Sequence, residues 1–355
     1  MLNKKSKVNT YILILIIFFA TFLSDTYLLN SQLTIPLILS SLLSGVITFL
    51  AIPKLKEFKI KQTIRKEGPQ KHLAKSGTPT LGGILMVPAG IIIGILVNIN
   101  NSEIGQVLAV GCITLLFMII GFIDDYLSII KNQNMGLKAG SKLLLQMSSA
   151  IVFIFWLGLN NWMPTSINLW SNYSININYL IWPFAVFVLI AESNSTNLTD
   201  GLDGLAAGSA ALIFTGMALH LNFDNNDISL ALSRFSISMA GTSIGFLLLN
   251  KNPAKIFMGD SGSLAIGASL AGVALISNNL WPLLIMGGIF LVESLSVILQ
   301  VSTFKISKRL RGEGARIFLM TPIHHHFELK GYKETIIVKN FWIITLILII
   351  LSFIV

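Results

Sequence analysis

The chain has 355 residues, of which 54% are apolar and only 12% are charged, and its formal net charge is +9. Soluble domains carry about 25% charged residues, so this composition excludes an ordinary soluble enzyme. The apolar stretches are continuous rather than alternating, which argues against a membrane β-barrel. The single cysteine excludes an internal disulfide and a cluster of thiolate metal ligands. The positive charge fits orientation in a membrane and anionic ligands, and no nucleic-acid-binding motif accompanies it.

Eleven apolar stretches, each long enough to cross a bilayer, predict membrane-spanning helices. They cover residues 10–30, 33–53, 80–100, 104–123, 142–160, 177–193, 204–222, 228–249, 262–278, 281–303 and 336–355. The predicted fold is all-α: a polytopic transmembrane helical bundle of about 10–11 spans, in one integral membrane domain over residues 1–355. Residues 1–31 are predicted to form an extra N-terminal span. The lysines before it also fit a signal peptide, but no small-residue cleavage site is evident.

Lysine and arginine residues are concentrated in alternate connections between these stretches. Segments 54–79 and 304–339 hold eight each, segments 124–142 and 250–261 hold three and two, and the intervening connections hold none. By the positive-inside rule the basic connections are cytoplasmic. Because two spans separate each connection from the next, the polar segment at 194–204 is predicted on the same side. The active site is therefore expected on the cytoplasmic face.

The first two of these connections carry groups suited to phosphate and to proton transfer. Lys75 precedes a glycine-rich segment in which Thr78 or Thr80 is expected to cap the next span, and a helix start beside a lysine suits phosphate. A capped span start with interfacial lysines is the alternative. Asp124 and Asp125 end the fourth span, where carboxylates are costly and usually functional. Adjacent carboxylates point in different directions on a helix, so one can bind a divalent cation while the other accepts a proton.

The third connection places an amide or carboxylate at every third position: Asn194, Asn197, Asp200 and Asp203. If the segment is helical, these side chains form a slowly drifting polar stripe at the end of a span. Such a stripe can hold a sugar, a base or a hydrated metal ion. A hydrogen-bond network inside the bundle is the alternative.

The last two connections add a lone acid and a run of histidines. Asp260, between glycines and hydroxyls at the start of a span, suits Mg²⁺, which takes one or two carboxylates, although it is equally a candidate helix cap. His324, His325 and His326 cannot all face one metal from a regular helix, so phosphate or sugar binding is favoured over a zinc site. Glu293, inside a predicted span, is expected to be a buried, hydrogen-bonded acid without a catalytic role.

Together the five motifs resemble the polyprenyl-phosphate N-acetylhexosamine-1-phosphate transferase family, in order and over residues 60–345. The shared elements are Asp124-Asp125, the Asn194–Asp203 segment and Gly259-Asp260. The Pro322–Gly331 block resembles the muramoyl-pentapeptide branch of that family rather than its N-acetylglucosamine branch. The N-terminal apolar stretch departs from the family pattern, which has ten spans.

The resemblance implies a reaction at the bacterial plasma (inner) membrane. Phospho-N-acetylmuramoyl-pentapeptide passes from UDP-N-acetylmuramoyl-pentapeptide to undecaprenyl phosphate, giving lipid I and UMP for peptidoglycan, with Mg²⁺ as cofactor. The implied catalytic residues are Asp124, Asp125, Asp260 and His324, with Asp260 and Asp200 as metal ligands. The implied substrate contacts are Lys75, Thr80, Asn194, Asn197, Asp200, Gly201, Leu202, Asp203, Phe257, His325 and His326.

Two other functions are weighed against this one, and a homodimer is left open. A sister enzyme acting on UDP-N-acetylglucosamine shares the acids and the magnesium but not typically the triple-histidine block. A membrane transporter is disfavoured, because transporters place charged groups near the bilayer midplane whereas these acids lie at span ends.

Overall fold

The computed structural model describes residues 2–27, 32–57, 75, 77–131, 136–170, 173–224 and 226–354, without the side chains of residues 2–7 and 170. Residues 58–74 and 76, which include most of the first basic connection, therefore lie outside the described part of the chain. So do residues 28–31 at the end of the predicted N-terminal span.

Thirteen α-helices make up nearly all of the described structure. They are α1 (Leu2–Tyr27), α2 (Thr34–Glu57), α3 (Gly83–Leu96), α4 (Ile104–Lys131), α5 (Ala139–Leu159), α6 (Ile181–Thr199), α7 (Leu205–Asp224), α8 (Asp227–Asn250), α9 (Asp260–Ile276), α10 (Leu280–Met286), α11 (Gly288–Arg311), α12 (Ile323–Leu329) and α13 (Glu334–Ser352). One antiparallel hairpin, β1 (Ser166–Trp170) and β2 (Tyr173–Asn176), links α5 to a short 3₁₀ turn (Asn178–Leu180) before α6.

The predicted fold class, a polytopic helical membrane bundle, is confirmed. Within the described residues, eight helices are long and apolar enough to cross a membrane: α1 over Val8–Tyr27, α2, α4, α5, α7, α8, α11 and α13. Two shorter apolar helices, α3 and α9, complete the apolar set. The chain is therefore a multi-pass membrane protein.

Several element boundaries differ from those predicted. The single span expected at 281–303 is divided at Gly287 into α10 and α11. The span expected at 80–100 is helical only over Gly83–Leu96, and the one expected at 177–193 begins with the 3₁₀ turn and becomes α-helical at Ile181. The hairpin was not predicted, although residues 166–169 and 173–176 alternate polar and apolar side chains, because this connection between two apolar stretches was treated only as a loop.

The centre of the bundle is built from α7, α8 and α9, whose residues are almost all buried. These helices are rich in glycine, alanine and serine, which let backbones approach closely where no hydrophobic effect drives association. A Cβ on Gly241 of α8 would lie 2.1 Å from the Ser40 Oγ of α2, so only glycine fits there. By contrast, α1, α5 and α11 are mostly exposed and face the surroundings of the bundle.

The five polar connections come together at one end of the bundle. Phe257 donates its N–H to Pro79 O (2.8 Å), which joins the first and fourth connections. Side chains from the C-terminal parts of α4 and α6 reach the N-terminus of α9, and Glu334 at the start of α13 reaches the α6–α7 connection. This shared end brings the predicted site residues within contact distance of one another.

Candidate active site

Four carboxylates, Asp124, Asp125, Asp200 and Asp260, form what we call the acid cluster. The Asp125 carboxylate accepts the N–H groups of Asp260 and Ser261, each at 3.0 Å, and so caps the N-terminus of α9, where unpaired N–H groups favour negative charge. The Asp124 and Asp260 carboxyl groups lie within hydrogen-bonding reach of each other, and Asp200 interacts electrostatically with Asp125 and Asp260. Three predicted catalytic residues (Asp124, Asp125 and Asp260) and both predicted metal ligands (Asp260 and Asp200) therefore meet at one place.

Close backbone packing makes this cluster possible. A Cβ on Gly121 of α4 would lie 2.1 Å from the Asp260 carbonyl oxygen, so only glycine lets α4 approach the start of α9 this closely. Gly259, just before α9, has a φ of +75°, a left-handed conformation that favours glycine. The Gly259-Asp260 pair thus combines a turn with the acid that the turn presents.

Lys142 and Asn197 hold the two oxygens of the Asp260 carboxylate. Lys142 Nζ contacts Oδ2, and Asn197 Nδ2 donates to Oδ1 at 2.8 Å and also to Ser263 Oγ at 2.9 Å. Sequence analysis predicted Asn197 but missed Lys142. The signal was present, because Lys142 lies in the first turn of α5, in the same basic segment (124–142) as Asp124 and Asp125, but a lysine there is also explained by membrane orientation.

The polar stripe predicted over Asn194–Asp203 does not continue as a helix. Helix α6 ends at Thr199 and Asp200 is its C-cap residue, so only Asn194 and Asn197 share the helix. Asn194 Nδ2 donates to Gln146 Oε1 of α5 at 2.9 Å rather than pointing into the acid cluster. The glycine-containing segment after Thr199 turns the chain, which sends Asp203 towards a different set of partners.

Lys75, Asp203, Asn252 and Glu334 form a second group, the lysine cluster. Lys75 Nζ lies 2.7 Å from both Asp203 Oδ1 and Glu334 Oε1, and Asn252 Nδ2 donates to Asp203 Oδ2 at 3.0 Å. Burial alone would lower the pKa of Lys75, but the charges of Glu334 and Asp203 raise it above its ordinary value. Lys75 therefore stays cationic. Glu334, which sequence analysis missed, also accepts the Asp203 N–H at 2.7 Å.

The three histidines have three different surroundings. His324 is fully buried, and its Nδ1 lies 3.0 Å from Glu293 Oε1. Its ring packs on Gly201, where a Cβ would lie 2.2 Å from Nε2. His325 Nδ1 lies 2.8 Å from Glu328 Oε2, and His326 Nδ1 accepts the Leu319 N–H at 3.1 Å. Glu293 is the buried, hydrogen-bonded acid that was predicted, and its partner is the predicted catalytic His324.

The remaining predicted contacts lie on the two paired connections. Neither Thr78 nor Thr80 caps α3, so that prediction is wrong: the N-cap is Gly82, which has no side-chain cap, and its N–H donates to Phe257 O at 2.9 Å. Thr80 is buried beside Gly259, and Phe257 is half-buried. Leu202 is only 3% exposed, so a ligand would meet its backbone rather than its side chain.

The acid cluster suits a hard cation held by few protein ligands. In the described part of the chain, no group of three or more His, Cys, Asp or Glu residues is placed to hold a metal ion. Mg²⁺, however, commonly takes one or two carboxylates plus waters and substrate phosphates. Two carboxyl groups in contact, such as those of Asp124 and Asp260, need a proton or a cation between them. The residues therefore fit Mg²⁺ with one or two protein ligands.

Replacing Asp200 with asparagine is expected to stabilise the metal-free protein at neutral pH. Burial raises the pKa of Asp200 well above its usual range, and the charges of Asp260, Asp125 and Asp203 raise it further. A carboxyl group with a raised pKa in the folded state costs stability once the pH exceeds its unfolded value of about 3.9. We expect Asp200→Asn to raise the Tm by about 2–4 °C at neutral pH and by less near ~pH 4.

Thermal unfolding of the two proteins at both pH values, in the presence of EDTA, measures this effect. The exposed Asp227, at the opposite end of the bundle, provides the matched control Asp227→Asn, which should leave the Tm unchanged. A lower Tm for Asp200→Asn at neutral pH would show that the ionised carboxylate is stabilising rather than strained.

A multi-pass helical bundle with acids, amides and imidazoles gathered at one end defines a membrane-embedded enzyme that works on polar groups at a membrane surface. Comparison with known proteins agrees, because residues 107–278 match the family model described as "Glycosyl transferase family 4". A "Phospho-N-acetylmuramoyl-pentapeptide-transferase" of Prochlorococcus marinus (strain NATL2A) is 53% identical over 99% of this chain and 96% of its own length.

Two further relatives carry the same name. The protein of Synechococcus sp. (strain CC9311) is 51% identical over 98% of this chain and 94% of its own length. That of Prochlorococcus marinus subsp. pastoris (strain CCMP1986 / NIES-2087 / MED4) is 42% identical over 99% of this chain and 98% of its own length. The chain belongs to the phospho-N-acetylmuramoyl-pentapeptide-transferase family, and the resemblance seen in the five motifs is confirmed.

Proposed function

We propose that the protein transfers phospho-N-acetylmuramoyl-pentapeptide from UDP-N-acetylmuramoyl-pentapeptide to undecaprenyl phosphate, producing lipid I and UMP. The observation that supports this most is the convergence of the acid cluster with Lys142 and the His324–Glu293 pair at one end of a membrane bundle. The names of relatives that match the chain almost end to end point to the same donor.

The reaction exchanges one pyrophosphate bond for another. An oxygen of the lipid phosphate forms a bond to the β-phosphorus of the UDP-sugar. The bond from that phosphorus to the bridging oxygen then breaks, and UMP leaves with that oxygen. A phosphate monoester is already nucleophilic at neutral pH, so we favour direct displacement over a covalent enzyme intermediate. Catalysis of such a transfer is mostly positioning and charge neutralisation.

The acid cluster and its partners are proposed to prepare this exchange. Asp124 accepts a proton carried by the lipid phosphate, and Asp125 fixes the start of α9 so that Asp260 faces the reacting groups. Lys142 and Asn197 orient Asp260 by holding one carboxylate oxygen each. Asp260 and Asp200 would hold Mg²⁺, which supplies positive charge to the diphosphate and the leaving UMP.

The lysine cluster and the histidines are proposed to position the donor. Phe257 presents a half-buried ring to stack on uracil, next to the connection that carries Lys75. The lysine cluster holds the connections around this ring at fixed distances. His324 and His325 are proposed to serve the sugar-phosphate side of the donor, and Gly201 leaves room for the buried His324 ring.

The proposed location is the bacterial plasma (inner) membrane, with the site on its cytoplasmic side. Basic residues support this orientation: Lys54 and Lys56 end α2, and Lys308, Arg309 and Arg311 end α11. The chain is proposed to act as one membrane domain, in which exposed apolar faces such as that of α11 give the isoprenoid tail a lateral approach. A homodimer is compatible with this arrangement.

Activity is expected with one donor only. Purified protein in liposomes, given undecaprenyl phosphate, Mg²⁺ and radiolabelled donor, should release UMP and form labelled lipid from UDP-N-acetylmuramoyl-pentapeptide and not from UDP-N-acetylglucosamine. Lipid product from the second donor alone would reject the proposal in favour of the sister reaction. Movement of UDP-sugar across the liposome membrane without UMP release would indicate a transporter.

Removal of divalent cations is expected to abolish that activity reversibly. The acid cluster gathers more carboxylates than Lys142 neutralises, and a substrate diphosphate adds further negative charge. EDTA should therefore stop UMP release, and added Mg²⁺ should restore it. Full turnover after exhaustive chelation would remove the metal from the proposal.

A further inference from the structure

The N-terminal helix α1 contacts the rest of the bundle along its length and at its C-terminal end. Its Ile17 is 1% exposed, and Ser24 Oγ accepts a hydrogen bond from Asn222 Nδ2 of α7 at 3.0 Å. The Asp25 carboxylate accepts the N–H of Thr34 at 2.8 Å at the start of α2. These contacts fix the register of α1 against its neighbours, so the position of its N-terminal end is also defined.

The N-terminal end of α1 contacts the connection between α8 and α9. The ammonium group of Lys251 lies over the ring of Tyr11, 4.4 Å from its centroid, in a cation–π contact. Lys251 is the first residue after α8, and its N–H donates to Leu247 O at 2.8 Å, so its backbone is anchored to α8. Tyr11 therefore holds the side chain at the point where the chain leaves α8 for the site.

The segment that begins at Lys251, residues 251–259, contributes to both halves of the site. Asn252 Nδ2 donates to Asp203 Oδ2, and the N–H of Ala254 donates to the same oxygen, both at 3.0 Å. Phe257 follows, and Gly259 leads directly into Asp260. A shift of this segment would move the uracil-stacking candidate and the acid cluster together.

The N-terminal end of α1 also closes a narrow cleft beside the lysine cluster. The cleft is lined by α1, by the 251–259 segment and by α13, through Asn9, Thr10, Asp203, Lys251, Asn252, Thr335, Val338, Lys339 and Trp342. It is too narrow for a substrate. The cleft is therefore a place where α1 packs against the site rather than a binding pocket.

We propose that Tyr11 is a positioning residue, and that through Lys251 it sets the 251–259 segment for binding of the nucleotide donor. Helix α1 then contributes to binding of the nucleotide donor as well as to membrane anchoring. The kinetic test of this inference depends on the proposed function. The hydrogen-exchange test depends only on the contacts of Tyr11 and Lys251.

The kinetic test removes the ring while retaining an apolar side chain. Tyr11→Leu is expected to raise the KM for UDP-N-acetylmuramoyl-pentapeptide about 2- to 5-fold, the range of an exposed cation–π contact, since Tyr11 is 51% exposed. Neither kcat nor the KM for undecaprenyl phosphate should change appreciably. Lys251→Met should give the same effect, and the double variant should be no worse than either single variant, because both remove one interaction.

Conservative and distant variants provide the controls. Tyr11→Phe and Lys251→Arg keep the interaction and should restore the KM of the wild type. Phe19→Leu removes an exposed aromatic ring from the same helix and should have no effect. An unchanged KM in Tyr11→Leu, an equal effect in Phe19→Leu, or additive effects in the double variant would each overturn the proposal.

Amide hydrogen exchange tests positioning without relying on activity. Tyr11→Leu should speed exchange in residues 251–259 while leaving the interior of α8 protected, whereas Phe19→Leu should do neither. Equal protection of 251–259 in Tyr11→Leu and wild type would overturn the proposal. A wild-type protein that makes no UMP, but shows the predicted exchange difference, would instead contradict the proposed function alone.

Discussion

Asp260→Asn is expected to lower kcat for UMP release by about 1,000-fold, the scale of losing one preorganised charge-stabilising group. The Asp260 carboxylate contacts several other side chains of the site: Lys142 and Asn197 hold its oxygens, and Asp124 lies within hydrogen-bonding reach. An amide in its place loses a unit of negative charge and must present its N–H₂ group to either Lys142 or Asn197, both of which are donors. The proposed metal-binding carboxylate and the orientation of Lys142 are lost together.

Steady-state assays at saturating donor and Mg²⁺, together with thermal unfolding, separate this effect from misfolding. Asp227→Asn is a matched control, because Asp227 is also the first residue of a helix but is exposed and lies roughly 35 Å along α8 from the site end. It should behave as the wild type. Turnover of Asp260→Asn within about tenfold of the wild type would rule out the proposed role.

His324→Ala is expected to lower kcat by about 100-fold or more and to lower the Tm as well. His324 is fully buried between Gly201 and Glu293, so its removal leaves a cavity and an unpaired buried acid. Leaving a buried polar group without its hydrogen-bond partner typically destabilises a protein by about 1–3 kcal/mol, and the cavity adds to this. The ring also packs against Gly201, the residue that follows Asp200.

Two further variants separate the catalytic effect from the structural one. Gly201→Ala keeps the imidazole but places a methyl group 2.2 Å from the present position of Nε2, so it should displace the ring and lose activity while Glu293 remains in place. His220→Ala, which removes a histidine at the opposite end of the bundle beside Phe353, should retain activity. Normal turnover in a folded His324→Ala protein would show that the ring serves packing only.

The helical framework could be predicted because apolar length alone signals a membrane span. The predicted stretches correspond to the helices of the bundle, apart from shifted ends and the break at Gly287. That break lies inside one continuous apolar run, so composition could not reveal it. The hairpin between α5 and α6 was missed for a different reason: its strands do alternate polar and apolar residues, but that signal is short and lies between much longer apolar stretches.

The side chains that could be predicted are those whose residue type is unexpected at a span end. Asp124, Asp125 and Asp260 stand out because carboxylates are costly there. The partners of the site acids did not stand out: Lys142, which pairs with Asp260, resembles an orientation signal, and Glu334, which pairs with Lys75, resembles an ordinary first-turn acid. Such pairings depend on how distant helix ends meet, which spacing within one segment cannot show.

The central claim is that the acid cluster holds a metal ion against the diphosphate of the donor, and paramagnetic resonance with Mn²⁺ in place of Mg²⁺ tests it most directly. With UDP-N-acetylmuramoyl-pentapeptide bound and no lipid acceptor present, we expect a ³¹P hyperfine coupling to protein-bound Mn²⁺ that disappears in Asp260→Asn. Bound Mn²⁺ without phosphorus coupling, or a coupling that persists unchanged in Asp260→Asn, would contradict it.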